Sequence, residues 1–291
     1  MNKKAIIISP SGAIDEKYID GAKNALAEWE FSVQEGKSAR GKFGRFAGTE
    51  QERISDLQQA LDDENAQIIL CSRGGYGLVQ IIDKIDFTRF IQNPKTIVGF
   101  SDITVLHNAL AKIGIPSVHA IMAKHLTELP ANAESVIALR EILNGVLPKY
   151  QIENYPLNRK GEGKGKLAGG NLSVIYGLRS TPYDLDFDGK ILFIEDICEK
   201  PYHIDRMMQN LRLGKALENL AGLVVGQFAE CTEDPLMNAT IYEIILNAVK
   251  NYDYPVCFNF PAGHAERNLP LVLGGKAVLK IDDDESNLEF F

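Results

Sequence analysis

The sequence of 291 residues contains no apolar run approaching the roughly 18 residues needed to span a membrane. Nor does it carry an excess of positive charge: 31 Lys and Arg face 39 Asp and Glu, for a net charge of −8. The basic footprint of a nucleic-acid binder is missing, so neither a nucleic acid nor a membrane is expected as partner. Its four cysteines, Cys71, Cys198, Cys231 and Cys257, form no C-x-x-C pair. That spacing argues against a zinc site and against a dithiol redox motif, and no metal or cofactor is expected. Three of them (in "IILCS", "EDICE" and "PVCFNF") sit in apolar surroundings and read as free buried thiols. Such thiols fit a reducing compartment, and a cytoplasmic location is expected. The opening "MNKKAIIISPSG" has too short an apolar run for a signal-peptide core and reads as a first strand. There is no internal repeat and no low-complexity segment.

What is present is a regular alternation. Buried strands are expected at 5–9, 66–72 and 96–100, and helices at 15–30, 49–63, 76–85 and 102–113. Thr49 and Glu52 form a capping box at the start of the second helix. Apolar strands alternating with helices predict a parallel sheet covered on both faces. Residues 126–165 change character: one helix, "NAESVIALREILNG", precedes a polar stretch rich in Pro, Gly and Lys. The expected division is therefore a first domain over 1–125, a linker over 126–165 and a second domain over 166–291. In the second domain, strands are expected at 190–196, 221–228 and 255–260, with a paired run over 269–282 turning at "GGK". Helices are expected near 171–179, 201–213 and 238–250. The basic stretches Lys37–Arg45 and Arg159–Lys166 read as solvated loops.

Ligands of parallel α/β sheets bind beyond the carboxyl ends of the strands. Three loops of the first half lie there: "SPSG" (9–12), "SRGGYG" (72–77) and "GFSD" (99–102). Glycines such as Gly74, Gly75 and Gly77 let backbone N–H groups approach a ligand closely, for an oxyanion or a phosphate. The loop is not a P-loop, since it lacks the Lys, and it does not match G-x-G-x-x-G. "GFSD" places Ser101 between a strand and a helix. Ile103 stands where the hydrolase elbow G-x-S-x-G has its last glycine. Ser101 is thus either a helix N-cap or an exposed nucleophile.

A nucleophilic serine needs a base. His107 falls in an apolar helical pattern and reads as packing; His119 ends a short strand and is a candidate to line the cleft; His125 and His203 lie on helices beside charged residues. His264, in the loop "FPAGHAERNLPL", is the best-placed base. Glu195 and Asp196, at the end of "ILFIED", could orient it, and spacing leaves Glu199 open as well.

Taken in order, "SRGGYG", "VGFSDIT", "GGNLSVI", "LFIEDICEKPYHIDRMMQNL", "GLVVGQF" and "PAGHAERNLPL" resemble the murein LD-carboxypeptidases, serine peptidases that include the microcin-immunity peptidases. The resemblance covers about residues 5–280. It implies a flavodoxin-like or amidotransferase-like N-terminal domain and a smaller swivelling C-terminal α/β domain. It also implies a Ser101–Glu195–His264 triad assembled between the two, and a homodimer. The backbone N–H of Asp102, with that of Gly74 or Gly75, would form the oxyanion hole. Arg73 and Tyr76 in the glycine loop, and Arg267 near His264, are the expected substrate contacts. The implied reaction removes the terminal D-Ala from murein tetrapeptides during peptidoglycan recycling. Two alternatives stand beside it: a microcin-type peptidase acting on aminoacyl-nucleotide conjugates, and a non-catalytic α/β protein cradling an anion at Gly74–Gly77.

Overall fold

The computed structural model describes residues 3–291. In chain order the strands are β1 (Lys3–Ile8), β2 (Phe31–Glu35), β3 (Ala66–Cys71), β4 (Thr96–Gly99), β5 (Ser117–His119), β6 (Lys149–Glu153), β7 (Gly161–Asn171), β8 (Ile191–Ile197), β9 (Gly222–Ala229), β10 (Val256–Cys257), β11 (Leu271–Leu273), β12 (Lys276–Ile281) and β13 (Glu285–Phe290). The helices are α1 (Glu16–Glu28), α2 (Glu50–Asp62), α3 (Thr88–Gln92), α4 (Thr104–Lys112), α5 (Ala123–Glu128), α6 (Glu134–Leu143), α7 (Leu172–Gly177), α8 (Pro201–Leu213) and α9 (Ile241–Ala248).

The chain divides into two compact units. The first is Met1–Val146 with Leu269–Leu271; the second is Leu147–Asn268 with Val272–Phe291. The chain first passes between them at Val146–Leu147. Residues 126–165 are structured: they hold α6, β6 and the first part of β7. The polar, Gly-rich composition that suggested a linker belongs to strands. β6 is an edge strand, and alternate residues of Gly161–Lys166 carry no side chain because backbone approaches there: a Cβ at Gly163 would lie 1.7 Å from the Ala221 carbonyl oxygen.

In the first unit the sheet order is β11-β5-β4-β3-β1-β2. The β2–β1, β1–β3, β3–β4 and β4–β5 pairs are parallel. Both faces of β1 are buried from Ala5 to Ile8, as the near-continuous apolar run requires. On one face, Ile7, Leu70 and Val98 cluster with Ile19, Leu26 and Trp29 from α1 and its end. α2 packs against β1 and β3 with Leu57 and Leu61 buried. Its capping box is present, with Thr49 and Glu52 each bonded to the other's backbone N–H.

The expected helix over 76–85 is instead two 3-10 turns, Leu78–Gln80 and Ile82–Lys84. Gly75 (φ 97°) and Gly77 (φ 138°) hold the preceding backbone out of helical geometry. The Leu78 N–H goes to a side chain, Asp102, rather than to a carbonyl.

The second unit is a seven-stranded sheet, β10-β9-β8-β7-β12-β13-β6. Its β10–β9–β8–β7 half is parallel. Its β7–β12–β13–β6 half is antiparallel. β7 joins the halves: Gly161–Lys166 pairs with β12, and Leu167–Asn171 pairs with β8. The run 255–260 pairs over only two residues, because the Phe258 N–H donates to Asn158 Oδ1 at 2.7 Å and Asn259 turns to φ 55°. The paired run over 269–282 is not a hairpin. β11 lies beside β5 in the first sheet and β12 lies in the second, with Gly274 at φ 82° between them.

The thiols divide differently from expectation. Cys71 and Cys257 are buried, but Cys198 is exposed. It sits past the end of β8 at φ 60°, with its Sγ 3.3 Å from Glu230.

Candidate active site

In the first unit, β4 ends at Gly99 and the chain enters a 3-10 turn at Ser101–Ile103 before α4. Ser101 has φ 66°, a left-handed conformation uncommon for a residue with a side chain. Its hydroxyl is not a helix cap: neither this turn nor α4 has a side-chain capping bond. The N-cap reading of Ser101 is therefore set aside. A strained serine on a sharp strand-to-helix turn is the layout that raises a nucleophile out of a sheet.

The glycine loop lies directly against it. A Cβ placed on Gly74 would come 2.7 Å from Ser101 Cβ, 3.0 Å from its Oγ and 3.1 Å from the Asp102 backbone nitrogen. Only glycine fits, and the volume it leaves borders both the hydroxyl and an N–H donor. The Gly74 carbonyl accepts from Gly12 N–H at 3.0 Å. Because a trans peptide sets C=O and the following N–H on opposite sides, this bond directs the Gly75 N–H away from Gly12.

His107 is buried, and it is more than packing. Its Nε2 lies 2.8 Å from the Gly99 carbonyl oxygen and its Nδ1 2.8 Å from Ser117 Oγ. A carbonyl can only accept, so Nε2 carries the proton and Nδ1 accepts from the serine hydroxyl. Burial lowers this imidazole to about 4, with the Gly99 bond opposing, so the ring stays neutral. It anchors the end of β4, two residues before Ser101. His119 is fully buried at the end of β5, edge-on to Phe100 at 5.6 Å. His125, on α5, also stands edge-on to Phe100, at 5.6 Å.

In the second unit, β8 delivers Glu195 and Asp196 at its end. The β8–β9 register shifts between Ile194 and Asp196, so Glu195 stands at a bulge. Bulges re-aim side chains and recur beside active sites. Glu195 is fully buried and its Oε2 lies 2.7 Å from His264 Nδ1. Its Oε1 has no hydrogen-bond partner among the described residues. The fit is close: a Cβ on Gly263 (φ 130°) would lie 3.0 Å from Glu195 Cβ. The loop that carries His264 is closed by Gly263 N–H donating to Asn268 Oδ1 at 3.0 Å. Burial lowers the affinity of His264 for a proton. The hydrogen bond that His264 donates to Glu195 and the charges of Glu195, Asp196 and Glu230 outweigh this, and the net shift is upward.

The two neighbouring carboxylates differ from Glu195. Asp196 accepts from Asn171 Nδ2 at 2.9 Å and from Ser173 N–H at 2.8 Å, tying β8 to the start of α7. Burial and the adjacent Glu195 charge push its carboxyl up to about 6, against its hydrogen bonds. Glu199 pairs with His203 Nδ1 at 3.1 Å, on and just before α8. Geometry thus couples Glu195 to His264, whereas spacing left Glu199 open.

The expected substrate contacts are exposed. Arg73 reaches the Ala13 carbonyl, Tyr76 lies beside Phe46 with ring centroids 6.2 Å apart, and Arg267 follows His264 in its loop. A buried arginine, Arg53 on α2, escaped sequence reading. It donates to the carbonyls of Pro10 (3.0 Å) and Gly77 (2.8 Å) and to Gln80 Oε1 (3.0 Å). Its sign in the sequence is a cation on the buried stripe of the helix, four, seven and eight residues before Leu57, Ala60 and Leu61.

The strained strand-end serine of the first unit and the buried glutamate–histidine pair of the second are residue types that serine-class hydrolases use. Residues 6–120 match the LD-carboxypeptidase N-terminal domain, and residues 164–279 match the LD-carboxypeptidase C-terminal domain. The chain belongs to the LD-carboxypeptidase family and is a serine-type peptidase. A protein of Bacillus subtilis described as a probable murein peptide carboxypeptidase is 31% identical over 288 residues, covering 97% of this chain and 90% of that protein. The microcin C7 self-immunity protein of Escherichia coli is 25% identical over 273 residues, covering 83% of this chain and 78% of that protein. The crystal structure of a muramoyltetrapeptide carboxypeptidase from Oxalobacter formigenes superposes with a TM-score of 0.90 at 27% identity, covering 99% of this chain and 98% of that one.

Proposed function

We propose that this enzyme releases the terminal D-Ala from murein tetrapeptides, cutting the bond between the L centre of the diamino acid and D-Ala, through Ser101, His264 and Glu195. The observation that carries the reading is the Glu195–His264 bond. A carboxylate can only accept, so Nδ1 holds the proton and Nε2 presents its lone pair as the base. Ser101 Oγ attacks the scissile carbonyl carbon while His264 Nε2 takes the hydroxyl proton. Glu195 fixes the tautomer and stabilises the imidazolium. The backbone N–H of Asp102, with that of Gly74 or Gly75, receives the developing oxyanion; losing one such donor typically costs about 2.7–4 kcal/mol. His264 then protonates the amine of D-Ala, which leaves. Water hydrolyses the acyl-serine by the same steps in reverse order, returning the proton to Ser101.

The murein-directed relatives support the substrate class. The leaving residue carries a free carboxylate, for which Arg73 and Arg267 are the proposed partners, with Tyr76 against the substrate beside them. The proposed setting is cytoplasmic peptidoglycan recycling by a homodimer. Replacing Ser101 with alanine tests the core of the reading: D-Ala release should be lost while the melting temperature and peptide binding persist. Undiminished release by that variant would overturn it.

A further inference from the structure

The carboxylate of Asp102 has no part in the chemistry above, which uses only its backbone N–H. It is nevertheless buried, with 4% of the residue exposed. Burying an ionisable group without partners is costly, so its contacts call for an explanation. Two bonds end on one of its oxygens: Oδ2 accepts from Ser11 Oγ at 2.6 Å and from Leu78 N–H at 2.9 Å. Ser11 belongs to the loop after β1, and Leu78 begins the 3-10 turn that follows the glycine loop after β3. Asp102 itself follows β4. One carboxylate oxygen therefore joins all three strand-end loops.

Two further contacts close the same assembly. Gly12 N–H holds the Gly74 carbonyl at 3.0 Å, linking the first loop to the second. Arg53 bonds the carbonyls of Pro10 and Gly77, gripping the same two loops from the side of α2. Gly74 lies close against the nucleophile turn, as the 2.7 Å approach of a Cβ placed there to Ser101 Cβ shows. A small shift of the 74–75 peptides would thus change the distance between the oxyanion donors and Ser101.

We propose that the Asp102 side chain is a positioning residue: it staples the loops after β1 and β3 to the nucleophile turn and so sets the spacing between the glycine-loop N–H groups and Ser101. The inference rests on Ser101 being the nucleophile. What it needs from position 102 is an acceptor oxygen, not a charge. An asparagine can supply that acceptor, since its amide oxygen can occupy the Oδ2 position and take both hydrogen bonds. An alanine cannot.

The test compares D102A, D102N and Ser11→Ala by steady-state kinetics on a murein tetrapeptide, per folded molecule, below each variant's melting temperature. D102A should lower kcat by about 100-fold, the loss expected when reacting groups are misplaced by about 1 Å, with KM little changed. D102N should recover most of that loss, and Ser11→Ala should fall between D102N and D102A. A purely structural role would lower the melting temperature and leave kcat per folded molecule intact. That result overturns the proposal, and so does D102N failing as badly as D102A, because charge would then be the operative property. If D102A does not fold, D102N and Ser11→Ala decide: an unchanged kcat in Ser11→Ala overturns the staple. The labelling rate of Ser101 by a fluorophosphonate is measured alongside, and the same order of variants is expected. Labelling needs the oxyanion donors but no murein peptide. An unmutated protein that labels but releases no D-Ala therefore overturns the substrate assignment alone, leaving the labelling series to judge Asp102.

Discussion

At the scale of single residues, the proposed reaction draws on backbone geometry and burial more than on exposed charge. Ser101 is held at φ 66°, and the space facing its Oγ exists only because residue 74 lacks a Cβ. Replacing Gly74 with alanine should therefore lower kcat by about 100-fold or more, comparable to losing an oxyanion donor, which steady-state kinetics will read directly. His264 makes a second prediction, about pH. Its proton affinity is raised above the ordinary 6.5 once the Glu195 bond and nearby carboxylates have outweighed burial. As the proposed base, His264 works only when Nε2 is unprotonated, so kcat/KM should fall on the acid side with a midpoint above 6.5. Replacing Glu195 with glutamine removes the charge that favours the imidazolium, and the midpoint should move down. A pH profile of each form reads both. The same shift bears on stability: a histidine with a raised folded value adds stability that is full below the unfolded value and is lost as pH rises through the folded one.

At the scale of elements, the residues proposed for the reaction belong to strand-end loops in one unit and to a bulged strand and a loop in the other. The apolar runs of β1, β3 and β4 were legible because both faces of a parallel sheet are covered, and the capping box of α2 was legible because its chemistry is local. Removing that cap by Thr49→Ala should cost about 1 kcal/mol, to be read from thermal unfolding. Other elements could not be read. β2 and β6 are edge strands with half-exposed, largely polar patterns, and their apolar alternation, Phe31 with Val33 and Tyr150 with Ile152, is too short to stand out. The 3-10 turns after Gly77 resemble a helix in composition, and tertiary bonds to Asp102 and Arg53 decide their geometry. At the site, the serine, the glycine loop and the loop histidine could be named from residue type and place. The choice of Glu195 over Glu199 came from the family motif and not from residue type or spacing, because its physical reason lies in a bulge and in the pairing of Glu199 with His203. The buried roles of Arg53 and His107 were hidden for a related reason: each side chain bonds to groups outside its own helix.

At the scale of the whole molecule, two units share one chain that passes from the first to the second near residue 147, returns at Leu269–Leu271 and leaves again. A division at the polar stretch alone would miss that return, since β11 joins the first sheet only after most of the second unit has been built. The membership of the LD-carboxypeptidase family spans both units, and the residues proposed for the reaction are divided between them, Ser101 in the first and Glu195 and His264 in the second. A fragment ending at residue 146 should accordingly show no peptidase activity even if it folds, which an activity assay with circular dichroism can establish. The most direct measurement is incubation of the whole protein with L-Ala-γ-D-Glu-meso-diaminopimelate-D-Ala, with mass spectrometry of the products. Release of D-Ala and the matching tripeptide by the unmutated protein, and none by Ser101→Ala, is the expected result. A folded protein with Ser101 intact that leaves the tetrapeptide uncut would contradict the murein assignment.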